Sequence, residues 1–315
     1  MQSTAPSFPT PPLSMSLTQW LLLLLLGVLW GGSFFFTAIA VKELPILTLV
    51  LARVALAALA LLPVLWLAGL RLPRTLAEWS PFIGMSILNN VIPFLLIARG
   101  QQEIASGLAS VLNATTPLWS VLLSHMMTSD EKLLLNKLFG VIVGITGVGI
   151  LVGPEMLFGE QTTVIGMLCG LGGALFYGLS GIWARRLRGT PPLQTATCQL
   201  LASTVLLAPV TMWVDRPWSL PMPEWHVVAA VLGLALLTTA LGYIVFFRIL
   251  AVSGPTNAML VTLLNPVTAI ALGVFILGEI LADRHIAGAL VIGLALILID
   301  GRVLGSWGKP KPDAR

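Results

Sequence analysis

The feature of this sequence that most limits its fold is a pattern of rare residues that occurs twice in the same order. Charged residues make up only 10% of the 315 residues, so five matches in the same order are not expected from chance similarity between two apolar halves. The partners lie 146 to 149 residues apart and are Glu78-Trp79 with Glu224-Trp225, Arg99 with Arg248, Pro117 with Pro266, Glu131 with Glu279, and Gly140 with Gly288. We infer that the chain contains two copies of one structural unit.

Long apolar runs fill both copies. The chain is 57% hydrophobic with a mean hydropathy of +0.96, whereas an average soluble domain has roughly 25% charged residues. A transmembrane helix needs about 20 mostly apolar residues. The sequence therefore predicts ten transmembrane helices, at residues 18–41, 46–70, 79–98, 104–127, 133–153, 162–184, 193–214, 225–247, 256–278 and 285–304.

Five helices in each copy determine how the copies relate to the membrane. Because five is odd, the second copy enters the bilayer in the opposite direction to the first. The predicted fold is an all-α polytopic membrane protein made of two inverted five-helix repeats, at residues 17–153 and 162–304. The Pro- and Ser-rich residues 1–16 are predicted to be disordered, and residues 305–315 form a tail. Inverted repeats are typical of alternating-access carriers, whose substrate site lies between the halves.

The distribution of basic residues predicts the orientation. If the amino terminus is cytoplasmic, the outer loops hold only Lys42, Arg99, Arg216 and Arg284, and all other Lys and Arg outside the spans fall on the cytoplasmic side. The positive-inside rule favours this arrangement, with both termini in the cytoplasm. The sequence pI of about 9.4 then reflects membrane topology, and we expect no nucleic-acid partner.

Several segments resemble the EamA-type permeases of the drug/metabolite transporter superfamily. They are Leu29-Trp30-Gly31-Gly32-Ser33, Ala52-Arg53, the stretch from Ala109 to Pro117, Glu131, Ala174-Leu175-Phe176-Tyr177, Asn265-Pro266 and Glu279. The resemblance covers about residues 17–304. It implies ten helices and transport, favouring export, of an amino acid, another small metabolite or a toxic organic compound across a plasma membrane, which in a bacterium is the inner membrane. The two halves differ at one notable position, because the second half has Gln199 where the first half has Arg53.

Polar residues inside apolar spans are candidates for the transport path, because each costs free energy unless it faces protein or a watery cavity. Arg53 lies about 10 Å from the outer end of its helix. It either binds a substrate carboxylate or has a structural role, extending outward or pairing with Glu43. Asn89 and Asn90 occupy the middle of helix three, where a cavity role and interhelical hydrogen bonding are both compatible with the sequence.

Further candidates lie near the centres of other helices. Asn113 with Thr116, and Thr262 with Asn265, are each spaced by three residues and are expected on one helix face. Pro93, Pro117 and Pro266 predict kinks. The aromatic residues expected to line a binding cavity are Trp30 and Tyr177, because they lie too deep for the interfacial belt. Tyr243 and Trp119 are expected to add to that wall, and helix packing is the alternative role of these side chains.

The sequence also limits the mechanism. It lacks a Walker-type Gly-x-x-x-x-Gly-Lys-Ser/Thr loop, so an ion or solute gradient must supply the energy, and no cofactor or metal is predicted. A passive channel and an intramembrane enzyme are the alternatives, although His125, His226 and His285 stand alone at helix ends. The expected partners are a small organic solute and membrane lipid. Gly140 and Gly144 are expected to pack helices within one chain, with a homodimer through the same faces as the alternative.

Overall fold

The computed structural model describes residues 16–127, 135–152, 161–258 and 260–300, and every long element in these ranges is helical. Two π-helical segments, Ile87–Val91 and Gly233–Leu241, and two short 3-10 turns, Ala184–Leu187 and Pro217–Ser219, accompany the α-helices. The α-helices, in chain order, are α1 Leu17–Ala40, α2 Ile46–Leu67, α3 Leu76–Ser86, α4 Ile92–Gly100, α5 Ser106–Asn113, α6 Thr116–Met127, α7 Leu135–Val152, α8 Gln161–Trp183, α9 Pro192–Val214, α10 Trp225–Leu232, α11 Gly242–Ala258, α12 Val261–Phe275 and α13 Asp283–Asp300.

The helices present apolar side chains to their surroundings. Six helical stretches in the described ranges are long and apolar enough to cross a bilayer, the longest being Trp225–Leu250 with a mean hydropathy of 2.2. Large aliphatic side chains point outward, with Leu59 62% exposed and Leu290 71% exposed. Such a surface is stable in lipid and unfavourable in water. The protein is an all-helical polytopic membrane protein, which confirms this part of the predicted fold.

The helix boundaries differ most clearly from the predicted spans in two places. The span expected at 104–127 is divided by a turn at Ala114 and Thr115. Pro117 therefore lies in the first turn of α6, where the missing proline N–H breaks no hydrogen bond within the helix. The span expected to end at residue 247 continues to Ala258. Glu131 and the terminal segments 1–15 and 301–315 lie outside the described residues, so the predictions made for them are not addressed by the structure.

The third helix of each half contains a π-helical segment at an equivalent place. Ile87–Val91 begins nine residues after Glu78, and Gly233–Leu241 begins nine residues after Glu224. A π segment holds extra residues within a helical turn and is frequent at functional sites. In both helices the wider turn lies at mid-length, near the centre of the molecule.

The connections between helices lie at two ends of the bundle, and hydrogen bonds show which connections lie together. We call the end where α1 begins the amino-terminal face, and the other end the opposite face. Gln194 Nε2 donates to the Arg71 carbonyl, so the connections before α3 and before α9 share the amino-terminal face. Glu224 N donates to Glu43 at 3.0 Å, so the connections before α2 and before α10 share the opposite face.

Helices from the two halves are packed against each other throughout the core. Helix α1 packs on α12, α2 on α9, α4 and α6 on α8, and α7 on α13. A cluster of buried side chains joins Val54 and Leu61 of α2 to Leu200 and Leu207 of α9. These pairs surround a central space rather than filling it.

Candidate functional site

A cavity of about 480 Å³ occupies the centre of the bundle. This volume is in the range of small-molecule sites. Side chains from both halves form its wall, and nine of the ten residues predicted as a binding site are among them: Trp30, Arg53, Asn89, Asn113, Thr116, Tyr177, Tyr243, Thr262 and Asn265. The structure therefore brings these residues together, and their contact with a substrate stays a prediction.

The cavity reaches one face of the bundle. Its wall includes Gly181 and Pro192, which are exposed at the amino-terminal face. Towards the opposite face its wall is formed by Thr37, Phe94 and Ser110, which are at most 6% exposed. Among the described residues, the central cavity is therefore accessible from the amino-terminal face.

A hydrogen-bonded network forms the polar part of the wall. Asn89 Nδ2 donates to Tyr243 Oη at 3.1 Å, and Asn89 Oδ1 accepts from Ser180 Oγ at 3.1 Å. The Tyr243 hydroxyl in turn donates to Asn90 Oδ1 at 3.1 Å, and Asn90 Nδ2 donates to Ser203 at 3.1 Å. Asn90 is fully buried behind the wall. Asn89 thus faces the cavity while Asn90 supports it.

The Tyr243 hydroxyl is expected to contribute strongly to stability, since it both accepts and donates inside this network. Tyr243→Phe removes the hydroxyl that donates to Asn90 Oδ1 and accepts from Asn89 Nδ2. An unsatisfied buried polar group costs about 1–3 kcal/mol. Tyr177→Phe is the matched control, because the Tyr177 hydroxyl makes no hydrogen bond to any residue described. We expect thermal unfolding in detergent at a clearly lower temperature for Tyr243→Phe. Equal melting temperatures for the two variants would contradict the network's role.

Arg53 lies on the wall towards the opposite face and is held from two sides. Its Nε donates to Thr239 Oγ1 at 3.0 Å, and its guanidinium carbon lies 3.6 Å from the centre of the Phe94 ring. Thr239 belongs to the second π segment and donates its own proton to the Leu234 carbonyl, five residues earlier. The pairing with Glu43, one of the alternatives for Arg53, is not present, because Glu43 contacts Glu224 N and His226 instead.

Aromatic rings and amide groups complete the wall. Trp30 packs on Phe246 with ring centres 5.2 Å apart, and Tyr243 stacks on Phe247 at 5.9 Å. Thr116 Oγ1 donates to the Asn113 carbonyl across the break between α5 and α6. Among the described residues, Asn113 Oδ1 and Asn265 Oδ1 are buried acceptors without a hydrogen-bond partner. They are free to accept a hydrogen bond from a bound molecule or water.

The residues predicted from the sequence are only part of the cavity wall. Trp119, predicted for the wall, lies instead against α8, where a β-carbon at Gly178 would come within 3.0 Å of the Trp119 β-carbon. Gln199, Ser180, Thr239 and Phe94 also line the cavity and are absent from the predicted site. Gln199 could have been predicted from the sequence, because it occupies in the second half the position that Arg53 occupies in the first half. The others are small or apolar residues that are common in membrane helices.

Three carboxylates at the opposite face accept hydrogen bonds at the starts of helices of the other half. Glu279 accepts from Ser106 N at 2.8 Å, from Ser106 Oγ at 2.9 Å and from Gly107 N at 3.2 Å, at the start of α5. Asp215 accepts from Thr48 N and Thr48 Oγ1, both at 2.8 Å, at the start of α2. Glu43 accepts from Glu224 N before α10. A negative charge at a helix amino terminus is stabilising.

The three carboxylate caps were missed as a group, although the sequence contains a signal for two of them. The residues at the N-cap positions of α2 and α5 are Pro45 and Ala105, whose side chains cannot accept a hydrogen bond. Helices with such starts need an acceptor from elsewhere. The partners lie more than 160 residues away along the chain, so local sequence could not identify them.

The turn that carries Glu279 follows from one glycine. Gly278 has φ of +68°, a left-handed conformation that glycine adopts without steric cost. Glu279 N donates back to the Gly273 carbonyl at 3.0 Å, which ends α12 and directs the following residue towards α5. The position of this cap is thus determined by the end of α12.

Comparisons with known proteins agree with this architecture. The model of the EamA-like transporter family matches residues 18–153 and again residues 164–300. Among curated relatives, the uncharacterized transporter YoaV of Bacillus subtilis is 25% identical over 84% of this chain and 90% of its own length. The uncharacterized inner membrane transporter YedA of Escherichia coli K12 is 25% identical over 87% of this chain and 88% of its own. A crystal structure with 17% sequence identity superposes with a TM-score of 0.65, covering 92% of this chain and 99% of the other, and shows the same fold.

Proposed function

Because this chain belongs to the EamA-like transporter family, we propose that it is a secondary transporter that moves a small organic metabolite, such as an amino acid or a related compound, by alternating access. Its energy comes from an ion or solute gradient, and export is its direction. The observation that carries this proposal is the central cavity, which both halves line and which reaches only the amino-terminal face among the described residues.

An inverted arrangement of two five-helix repeats accounts for this geometry. Supporting it, the family model matches the two halves separately, and equivalent third helices start at different faces. Helix α3 begins near Arg71, at the amino-terminal face, whereas α10 begins beside Glu43, at the opposite face. Two inverted units can rock around a fixed site between them. The π segments in these two helices then occupy equivalent places.

The amino-terminal face is cytoplasmic in this proposal, in the plasma membrane or bacterial inner membrane. Basic residues gather in the connections on that face, including Arg71, Arg74, Arg185, Arg186 and Arg188. The positive-inside rule places such connections in the cytoplasm. The cavity is then open to the cytoplasm, as an exporter requires in order to load its solute.

Cysteine labelling in intact cells tests the orientation and the crossings. With Cys169 and Cys198 replaced by alanine, Ser219→Cys is expected to react with a membrane-impermeant maleimide from outside. Thr190→Cys is expected to react only after the cells are permeabilised. Reaction of both positions from one side would contradict the proposed arrangement of α9.

Purified protein in liposomes tests the transport itself. Liposomes are loaded with a mixture of cytoplasmic metabolites, and exchange of each with its labelled external form is followed. We expect saturable counterflow of at least one solute, about tenfold weaker in Trp30→Ala and Tyr177→Ala. Trp225→Ala is the matched control, since this side chain is 81% exposed and remote from the cavity. Flux without saturation or counterflow would indicate a channel, and chemical conversion of the solute would indicate an enzyme.

A further inference from the structure

Among the described residues, the cavity wall contains a positive charge and no negative charge. Arg53 is the only charged side chain among the residues that line the cavity in the described ranges, and no aspartate, glutamate, lysine or histidine accompanies it. No carboxylate of the described residues lies within ion-pairing distance of its guanidinium. Arginine keeps its charge in proteins, and an unpaired charge inside a membrane protein is costly. The cavity therefore has a net positive charge that an anion would offset.

The Arg53 guanidinium has hydrogen-bond donors available for a further partner. Thr239 and Phe94 hold the Nε edge and one flat surface of the guanidinium. Neither terminal nitrogen has a hydrogen-bond partner among the described residues, so up to four N–H groups are available. Two such groups in a planar fork match the two oxygens of a carboxylate. The hydrogen bond to Thr239 fixes the orientation of the fork before any ligand arrives.

The rest of the wall fits an uncharged body. Beyond Phe94, the aromatic rings of Trp30, Tyr177, Tyr243 and Phe246 line the cavity, and such rings suit an apolar or aromatic solute. Asn113 Oδ1 and Asn265 Oδ1 offer neutral acceptors. The described wall contains no negative side chain to neutralise an ammonium group. Its chemistry thus favours a solute with one negative charge over a zwitterion or an amine.

We propose that the transported solute is an organic monocarboxylate with an apolar or aromatic body, whose carboxylate is bound by the terminal nitrogens of Arg53. The inference rests on the proposed transport function and narrows its solute from the amino acids and related compounds named there to monocarboxylates without an amino group. Gln199 occupies the equivalent position in the second half and also lines the cavity, without a charge. The carboxylate is therefore bound by the first half alone, with the body of the solute directed towards the amino-terminal face.

A series of three probes that share a phenyl ring tests the charge preference in the wild-type protein. The probes are phenylacetate, phenylalanine and phenethylamine, which carry a net negative, zero and positive charge at neutral pH. Each is offered to proteoliposomes loaded with its own unlabelled form, and labelled uptake is measured. We expect saturable phenylacetate exchange at least tenfold faster than exchange of either other probe. Faster exchange of phenylalanine or phenethylamine would overturn the carboxylate assignment while supporting the transport function.

Substitution of Arg53 tests the assigned residue. Arg53→Gln is expected to lower phenylacetate exchange at least thirtyfold, and Arg53→Lys to give an intermediate rate because it keeps the charge but loses the fork. Arg216→Gln, in the loop at the opposite face, is the control and should exchange at the wild-type rate. Wild-type exchange in folded Arg53→Gln would overturn the proposal.

A binding measurement covers the case in which Arg53→Gln does not fold. Phenylacetate is expected to raise the melting temperature of the detergent-purified wild-type protein, while equal concentrations of phenethylamine are expected to leave it unchanged. If phenylacetate at millimolar concentration neither exchanges nor stabilises the wild-type protein, the substrate class is wrong. The metabolite exchange experiment still decides the transport function in that case.

Discussion

Gly31→Ala is expected to lower the free energy of unfolding by about 1–3 kcal/mol and to reduce transport at least tenfold. A β-carbon at this position of α1 would lie 2.6 Å from the Asn265 carbonyl oxygen and 2.6 Å from the Thr268 β-carbon of α12. Neither atom can move without displacing the α12 backbone. Because Trp30 and Asn265 both line the cavity beside this contact, its disruption changes the binding wall as well as the packing.

The neighbouring glycine provides the matched control. A β-carbon at Gly32 would meet only Leu272 Cδ1, at 3.9 Å, which is ordinary contact. Alanine is favoured over glycine inside a helix by about 0.5–1 kcal/mol, so Gly32→Ala is expected to be neutral or slightly stabilising. Thermal unfolding in detergent and liposome exchange measure both variants. If Gly31→Ala behaves like Gly32→Ala, the close contact between α1 and α12 does not limit folding or transport.

Glu279→Gln is expected to open the opposite face. The carboxylate accepts three hydrogen bonds at the start of α5, and hydrogen bonds to charged groups contribute about 1.5–3 kcal/mol. Losing about 1.4 kcal/mol from the closed state shifts a two-state equilibrium tenfold. Since the cap joins the two halves on one face only, the loss favours the conformation in which that face is open.

A cysteine in the cavity wall reports this change. Ser110 lines the cavity near the opposite face and is 1% exposed. In a background without Cys169 and Cys198, Ser110→Cys is expected to react about tenfold faster with an impermeant maleimide from that side when Glu279→Gln is present. Glu78→Gln is the control, because Glu78 accepts from Arg74 N within its own half at the amino-terminal face. Unchanged labelling in Glu279→Gln would show that this cap does not hold the face closed.

Hydrophobicity was sufficient to predict a helical membrane protein, because a bilayer admits few other folds for such apolar stretches. The need of polar groups at mid-membrane for partners pointed to Asn89, and the aromatic argument pointed to Tyr243. The sequence could not distinguish Asn89, which faces the cavity, from its neighbour Asn90, which supports it. That distinction depends on the local winding of a π segment, for which Ile87–Val91 has no clear sequence signal.

Contacts between residues far apart in the sequence were the other feature that could not be predicted. Arg53 was recognised as unusual, yet its partner Thr239 is 186 residues away and is one of many threonines in the spans. Glu279 was recognised as the repeat partner of Glu131 and as part of a family pattern, but its cap on α5 required the three-dimensional arrangement. Individual polar residues were therefore predictable, whereas the pairs that join the two halves were not.

The π segment at Gly233–Leu241 makes the binding wall sensitive to the number of residues in the chain. Successive α-helical residues are separated by about 100° around the axis, so removing one residue while the π hydrogen bonds of the wide turn are kept would rotate everything after it by about that angle. Tyr243, Phe246 and Phe247 would then point towards other helices, although every side chain would still be present. Single-residue deletions and insertions in this segment are therefore a way to alter what the protein recognises without substituting any residue that lines the cavity.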